Sequence, residues 1–344
     1  MPLFAQISTI KASSDYSVFA TVSKNPFIPN SCTIFTVNIS DTVYFGNNED
    51  YLLPNTYMRL YPPQDILTLS GRIDTYGVVS FGFNHNGDPA DGYPQGGMND
   101  QGLCLDGNGL PSVPMNSYPG RERLFITALM QILLECANVS EVINWFQTHY
   151  LGSTWNSQIH FADANGDAIV VSVADREFVF TNKSSIHYLV STNFNLADYS
   201  NGYYPCSRYN TATNMLGQIT TEEDLTVDAC RDVLDAVHIE GQYATKYSNI
   251  FDPINQKIHL YYERNFNQRV SLNLGSELAS VQRGGTDVFE ENQLYFKEIS
   301  IASLFAEDPL VPGYPLLIFI SIIALVLSIF TLSKRRLLKK NRDS

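Results

Sequence analysis

Short runs in which apolar and polar positions alternate dominate the first two thirds of this chain. Residues 32–37 (CTIFTV) and 42–45 (TVYF) flank Asn38, Ile39, Ser40 and Asp41, a pattern that predicts a tight β-hairpin. Further short strands are expected at 77–83 and 102–105. The apolar runs 158–163 and 168–173, joined by Ala164-Asn165-Gly166-Asp167, predict another hairpin. Strands follow at 177–181 and 187–191, and a last hairpin at 246–251 and 257–262 turns around Asp252-Pro253-Ile254-Asn255.

Helical spacing of apolar residues appears at 121–136 (RERLFITALMQILLEC), then in EVINWFQTHY after Ser140, which reads as its N-cap. Two more helices are expected at 208–216 and 222–237, the second capped by Thr221. Strands, two helices, strands, two helices and strands in that order predict a layered α+β body.

The end of the chain has a different pattern. Residues 316–332 read LLIFISIIALVLSIFTL, and with Gly313, Tyr314 and Pro315 the stretch without a charge reaches about twenty residues. At a rise of about 1.5 Å per residue it spans a hydrocarbon core of about 30 Å. The cluster KRRLLKK follows directly. Basic flanks stay cytoplasmic, so the expectation is a single-pass membrane protein with its body extracytoplasmic and its C-terminus inside. Residues 1–31 lack the apolar core and cleavage site of an export signal, which leaves the export route open. The expected division is an N-terminal extension or propeptide (1–31), a catalytic domain (32–305), a linker (306–313), a transmembrane helix (314–333) and a basic tail (334–344).

Composition narrows the chemistry. A formal net charge of −13, reached despite the basic tail, repels phosphate backbones and argues against nucleic-acid binding. The five cysteines (Cys32, Cys104, Cys136, Cys206 and Cys230) show no CxxC spacing, so a structural zinc site is not expected. Their odd number leaves at least one thiol unpaired.

Cys32 opens the first hairpin and Gly46-Asn47-Asn48-Glu49-Asp50 closes it. Further along come Gly97-Met98-Asn99-Asp100-Gln101-Gly102-Leu103, the segment LDGNGLP at 105–111, Ser191-Thr192-Asn193-Phe194, Ser207-Arg208-Tyr209 and YSNIFD at 247–252. In this order the pieces resemble the choloylglycine hydrolase and penicillin V acylase family of linear amide C–N hydrolases. The resemblance is spread over residues 32–275. It implies the four-layer αββα sandwich of the N-terminal-nucleophile (Ntn) hydrolases, with antiparallel sheets. It also implies that Cys32 becomes the first residue, so that its own α-amine serves as base for the thiol. The Ser31–Cys32 bond must then be cut, and the resemblance implies that Cys32 itself does so through an N-to-S acyl shift.

Further roles follow from the same resemblance. Asp50 orients the nucleophile. Asn193, and Asn108 in the loop after the GMNDQGL piece, offer amide donors to an oxyanion, with Gly109 contributing only its backbone N–H. Arg208 stabilises the thiolate or holds a substrate carboxylate. Related sequences often carry arginine where this chain has Asn47, so Arg208 acts alone or with Arg59 or Arg72 as a substitute. Candidate substrate contacts are Asn47, Phe83 and Leu110, in an aromatic and aliphatic setting with Phe81 and Tyr93. The expected activity is hydrolysis of a linear amide of a small N-acyl substrate through a thioester, with no metal or organic cofactor. An acyltransferase of the isopenicillin type and a catalytically inactive cell-surface binding module are the alternatives. A homo-oligomer is left open.

Overall fold

The computed structural model describes residues 7–11, 32–52, 54–68, 71–84, 92–281 and 293–306. The expected transmembrane helix, its linker and the basic tail lie outside these residues. Among the described residues no helix is long and apolar enough to cross a membrane.

The chain begins with β1 (Ile7–Lys11), β2 (Thr33–Ile39), β3 (Thr42–Asp50), β4 (Thr56–Tyr61), β5 (Asp65–Thr68), β6 (Gly71–Asp74), β7 (Val78–Asn84), β8 (Gly92–Asn99) and β9 (Cys104–Pro114). Helices α1 (Ala128–Glu135) and α2 (Val139–Thr148) lead into β10 (Thr154–Ala162), β11 (Ala168–Ala174), β12 (Glu177–Asn182), β13 (Tyr188–Ser191), β14 (Phe194–Asn195) and β15 (Asp198–Gly202). Then come α3 (Ser207–Leu216), α4 (Val227–Ala236), β16 (Thr245–Asp252), β17 (Lys257–Tyr262), β18 (Val270–Asn273), α5 (Leu274–Ala279), β19 (Gln293–Ser300) and α6 (Ile301–Phe305).

Two antiparallel sheets carry the body. One has nine strands in the order β1-β19-β4-β7-β8-β9-β10-β11-β12, and the other six in the order β13-β2-β3-β16-β17-β18. Helices α1 and α2 cover the first sheet: Leu129, Leu133, Val142 and Phe146 share a core with Leu105, Ile159, Phe161 and Val171. Helices α3 and α4 cover the second, where Leu216, Val233 and Leu234 pack with Phe35, Val37, Val190 and Ile250. The bare faces of the sheets meet each other. Phe45 lies edge-on to His160 at 5.5 Å, Phe81 meets Phe251 at 5.8 Å, and Thr36 Oγ1 bonds His160 Nε2 at 2.9 Å. The result is the αββα arrangement.

Strand alternation sets which side chain faces which layer. On β3, Phe45 points into the space between the sheets, so Asn47 and Glu49 do too, while Asn48 reaches the helix layer and donates to Leu234 O of α4 at 2.8 Å. Gly46 is required on the helix side: a Cβ there would come within 2.4 Å of the Phe35 ring.

Several expectations are corrected. The helix expected over 121–136 starts only at Ala128. The Glu122 backbone is bonded to Thr148 O and to Tyr150 N instead, so pairing with the end of α2 outweighs local helical spacing. Asn138, not Ser140, caps α2: its side chain accepts from Glu141 N at 3.0 Å, and Glu141 Oε2 accepts from Ala137 N at 2.7 Å. Thr226, not Thr221, caps α4; Thr221 Oγ1 accepts from Asp224 N in the turn before it. The segment LDGNGLP is not a loop but the middle of β9, with Asn108 opposite Gln158 of β10. Within the expected N-terminal extension, which this does not contradict, residues 7–11 form an edge strand on β19.

The GMNDQGL piece is structural. Asn99 is fully buried, its Nδ2 donates to Leu133 O and Cys136 O at 2.9 and 2.7 Å, and its Oδ1 accepts from Gln101 N and Leu103 N at 3.1 and 2.9 Å. It thereby closes the C-terminal end of α1 onto the β8–β9 turn. Asn99→Ala leaves these backbone groups buried and unpaired. It is expected to destabilise the fold by about 2 kcal/mol or more, read from the midpoint of urea unfolding.

Candidate active site

Cys32 stands immediately before β2, fully buried, in the strand phase that turns its side chain toward the space between the sheets. Four other segments meet it. From β9, Asn108 Nδ2 donates to the Cys32 carbonyl oxygen at 3.1 Å. From the first turn of α3, Arg208 Nη1 donates to the same oxygen at 2.9 Å and to Thr33 Oγ1 at 2.8 Å. Arg208 Nη2 donates to Asn193 Oδ1 at 2.9 Å, and Asn193, just past β13, donates through Nδ2 to Gly109 O at 3.1 Å. Asp50, at the end of β3, places Oδ2 3.7 Å from Arg208 Nη1 and accepts from Thr245 Oγ1 through Oδ1 at 2.5 Å. The five residues expected to be catalytic (Cys32, Asp50, Asn108, Asn193 and Arg208) thus form one connected cluster.

An arginine in a first helical turn opposes the helix dipole. At Arg208 the carbonyl of Cys32, the carboxyl group of Asp50 and the amide oxygen of Asn193 offset that cost.

Two acids missed in the sequence complete the surroundings. Glu49 Oε1 accepts from Cys32 Sγ at 3.4 Å. Asp106, on β9, accepts from Asn47 Nδ2 through Oδ2 at 2.8 Å and from Gly107 N through Oδ1 at 2.7 Å. Asn47 Nδ2 also reaches Glu49 Oε2 at 3.4 Å, so one amide bridges both carboxyls. The available signal was strand phase: Glu49 lies two residues from Asn47 and four from Phe45, on a face where carboxylates are rare.

Burial governs the protonation of this cluster. It pushes Asp50 up to about 8 against the opposing pull of Arg208 and Thr245. Asp106 is likewise raised by burial to about 8, against the Gly107 N–H. Glu49 is pushed well above the carboxylate range by burial, then by Asp106 and Asp50. The Cys32 thiol is raised by burial, then by Glu49, Asp50 and Asp106, with the Asp50 backbone N–H pulling the other way. With Cys32 in peptide linkage, this site holds a neutral thiol.

The remaining candidates are placed less directly. Phe83 is buried 4.3 Å from Tyr51 and 6.1 Å from Tyr247, in the aromatic layer that includes Phe81. Leu110 is buried two residues beyond Asn108 on β9. The Tyr93 side chain lies outside the described part. Arg59 is engaged by Glu298 at 2.8 Å and Asn84 at 3.2 Å, and Arg72 meets Asp65 at 2.5 Å on the exposed β5–β6 hairpin. Neither takes the place of a guanidinium at Asn47. His160 is held between Thr36 and Ser191 and pushed down to about 3 by burial, so it is a neutral bridge between sheets.

The model of the acyl-coenzyme A:6-aminopenicillanic acid acyl-transferase family matches residues 37–267, and the chain belongs to that family. Solved structures with a similar fold include a mutant of conjugated bile acid hydrolase from Clostridium perfringens, at 15% identity and a TM-score of 0.56 over 75% of this chain and 98% of that one. Penicillin V acylase from Agrobacterium tumefaciens aligns at 15% identity and a TM-score of 0.52, over 67% of this chain and 82% of the other. A second variant of the Clostridium perfringens enzyme gives 14% identity and 0.57, over 81% and 100%. A comparison with curated protein sequences finds no match. The family resemblance drawn from the motifs is upheld, and at these identities the structural likeness establishes the fold.

Asp50 and Asp106 bind protons more tightly folded than unfolded, so unfolding releases protons between about pH 4 and about pH 8. Their stabilising contribution is complete below about pH 4 and is lost as pH rises through about 8. Full-length chain carrying Cys32→Ala is expected to lose stability from pH 5 to pH 9, with a smaller loss once Asp106→Asn is added, as measured by urea unfolding at each pH.

Proposed function

We propose that this protein is a cysteine-nucleophile amidohydrolase of small N-acyl substrates, active once Cys32 is the first residue of the chain. The supporting observation is the meeting of Asn108, Asn193, Arg208 and Asp50, from four separate segments, around the main chain of Cys32. Catalytic centres that use a histidine to activate a thiol need that ring beside the sulfur. Among the described residues the Cys32 thiol meets the Glu49 carboxyl and the Asp50 backbone N–H, and no histidine bonds it.

In the proposed cycle the α-amine of released Cys32 takes the thiol proton. The thiolate attacks a linear amide carbonyl, and the oxyanion is held by side-chain amides of the Asn108–Asn193 pair. The ammonium gives its proton to the leaving amine and leaves an acyl-enzyme thioester. Water, activated by the same amine, releases the acid and restores the thiol. Asp50 is placed to hold the ammonium, and Arg208 ties Asp50, Asn193 and the Cys32 carbonyl into one frame. The apolar run at 314–333 would hold the activity at a membrane surface.

The family match favours a second reading, in which an amine replaces water as acyl acceptor. Product analysis with and without an added amine separates the two: free acid alone marks a hydrolase, and a new amide marks a transferase.

Intact-mass measurement of purified protein is expected to show a chain that starts at Cys32, and Cys32→Ala is expected to stay uncut and inactive. A full-length, uncut protein with unimpaired amidase activity contradicts the reading. Asn193→Ala and Asn108→Ala are each expected to lower kcat by about 10²–10³-fold, as is usual for loss of one oxyanion donor.

A further inference from the structure

We infer that Glu49 is the proton carrier for the cut between Ser31 and Cys32, and so a catalytic residue of maturation; this rests on the reading of Cys32 as a released nucleophile. Before the cut, the Cys32 nitrogen belongs to a peptide bond and has no basicity to offer its own thiol. The first cleavage therefore needs another acceptor. Glu49 Oε1 is 3.4 Å from Cys32 Sγ, and both side chains are fully buried.

The groups that face Glu49 come from every neighbouring element. Cys32 lies at the start of β2, and Asp50 lies next along β3 with Arg208 of α3 beyond it. Asp106 approaches from β9 through the Asn47 bridge. Tyr247 of β16 is fully buried, and that burial, then the negative charges of Glu49 and Asp106, hinders ionisation of its hydroxyl, which has no hydrogen-bond partner among the described residues. The cation, Arg208, sits on the Asp50 side, while Glu49 and Asp106 are bridged by one neutral amide. Two carboxyls placed so closely in a dry site do not both ionise readily, so the pair retains a proton near neutral pH. An arginine at position 47 would neutralise the pair; Asn47 leaves it able to take up a proton.

The step balances as an acyl shift followed by hydrolysis. The Cys32 thiol proton passes to the Glu49 carboxylate as Sγ attacks the Ser31 carbonyl carbon. The S–C bond forms, the C–N bond breaks, and Glu49 returns the proton to the departing Cys32 nitrogen. One water then hydrolyses the thioester, which frees the Ser31 carboxyl group and restores the thiol beside a new α-amine.

The test is refolding of full-length chain, isolated unfolded and uncut, across pH 5 to 9, with cleavage followed by intact mass and folding by near-UV circular dichroism. Wild type is expected to cut at Ser31–Cys32 at a rate that rises with pH as Glu49 ionises. Glu49→Gln should fold yet cut about 100-fold more slowly or worse, and Glu49→Asp should recover part of the rate. Asp106→Asn should still cut, with the pH profile moved down by about one unit because a like charge is gone. Glu49→Gln that cuts within about threefold of wild type overturns the inference, since loss of an acid–base group costs at least about 10²-fold. If Glu49→Gln does not fold, an unmoved profile in Asp106→Asn overturns it. Wild type that folds and never cuts defeats the released-nucleophile reading itself.

Discussion

Two donors on one carbonyl oxygen hold this site together. Asn108 Nδ2 at 3.1 Å and Arg208 Nη1 at 2.9 Å fix the main chain of Cys32 from opposite sides, one from the nine-stranded sheet and one from the helix layer over the six-stranded sheet. Buried polar groups need partners, and a carbonyl at a strand entrance has no ladder partner of its own. Stacking the two sheets brings Asn108 to Cys32, and docking α3 on β2 and β13 brings Arg208. The site is therefore a consequence of layer packing. Loosening either interface would release the main chain of Cys32.

The same packing creates an electrostatic problem. Three carboxyls (Glu49, Asp50 and Asp106) share a dry space with one guanidinium, and Arg208 is already divided among Asp50, Asn193 and the Cys32 carbonyl. Proteins avoid unpaired buried charge, and the acids respond by rising in pKa. A new α-ammonium at Cys32 would add the missing positive charge beside Asp50 and make the thiolate less costly to form. On this view cleavage does more than expose a nucleophile. It changes the charge balance of the whole cluster, which gives a physical reason for a site that is inert before the cut and competent after it.

Much of this was legible in the sequence where a single physical signal dominated. Alternation around Asn38–Asp41 gave the β2–β3 hairpin, and the order of Cys32, Asp50, Asn108, Asn193 and Arg208 pointed to one site. The resemblance misled at LDGNGLP, which it implied to be a loop, whereas Gly107 and Gly109 lie in β9 against β10. Glu49 was overlooked because, beside Asp50 in GNNED, it reads as part of a turn. Its significance depends on a partner strand, β9, that only the fold supplies. Helix spacing over 121–127 lost to bonds with the end of α2. Strands β4 and β19 pair across more than half of the chain, a contact that local pattern does not reveal.

The most direct measurement is electrophile labelling of all five thiols with peptide mapping, run on uncut and on matured protein. Cys206, half-buried, should label alike in both forms, while Cys104, Cys136 and Cys230 stay protected in their buried sites. The account predicts that Cys32 is silent in the uncut chain and becomes the most reactive thiol after its nitrogen is freed. Equal reactivity of Cys32 in the two forms, or no reactivity in either, would contradict it.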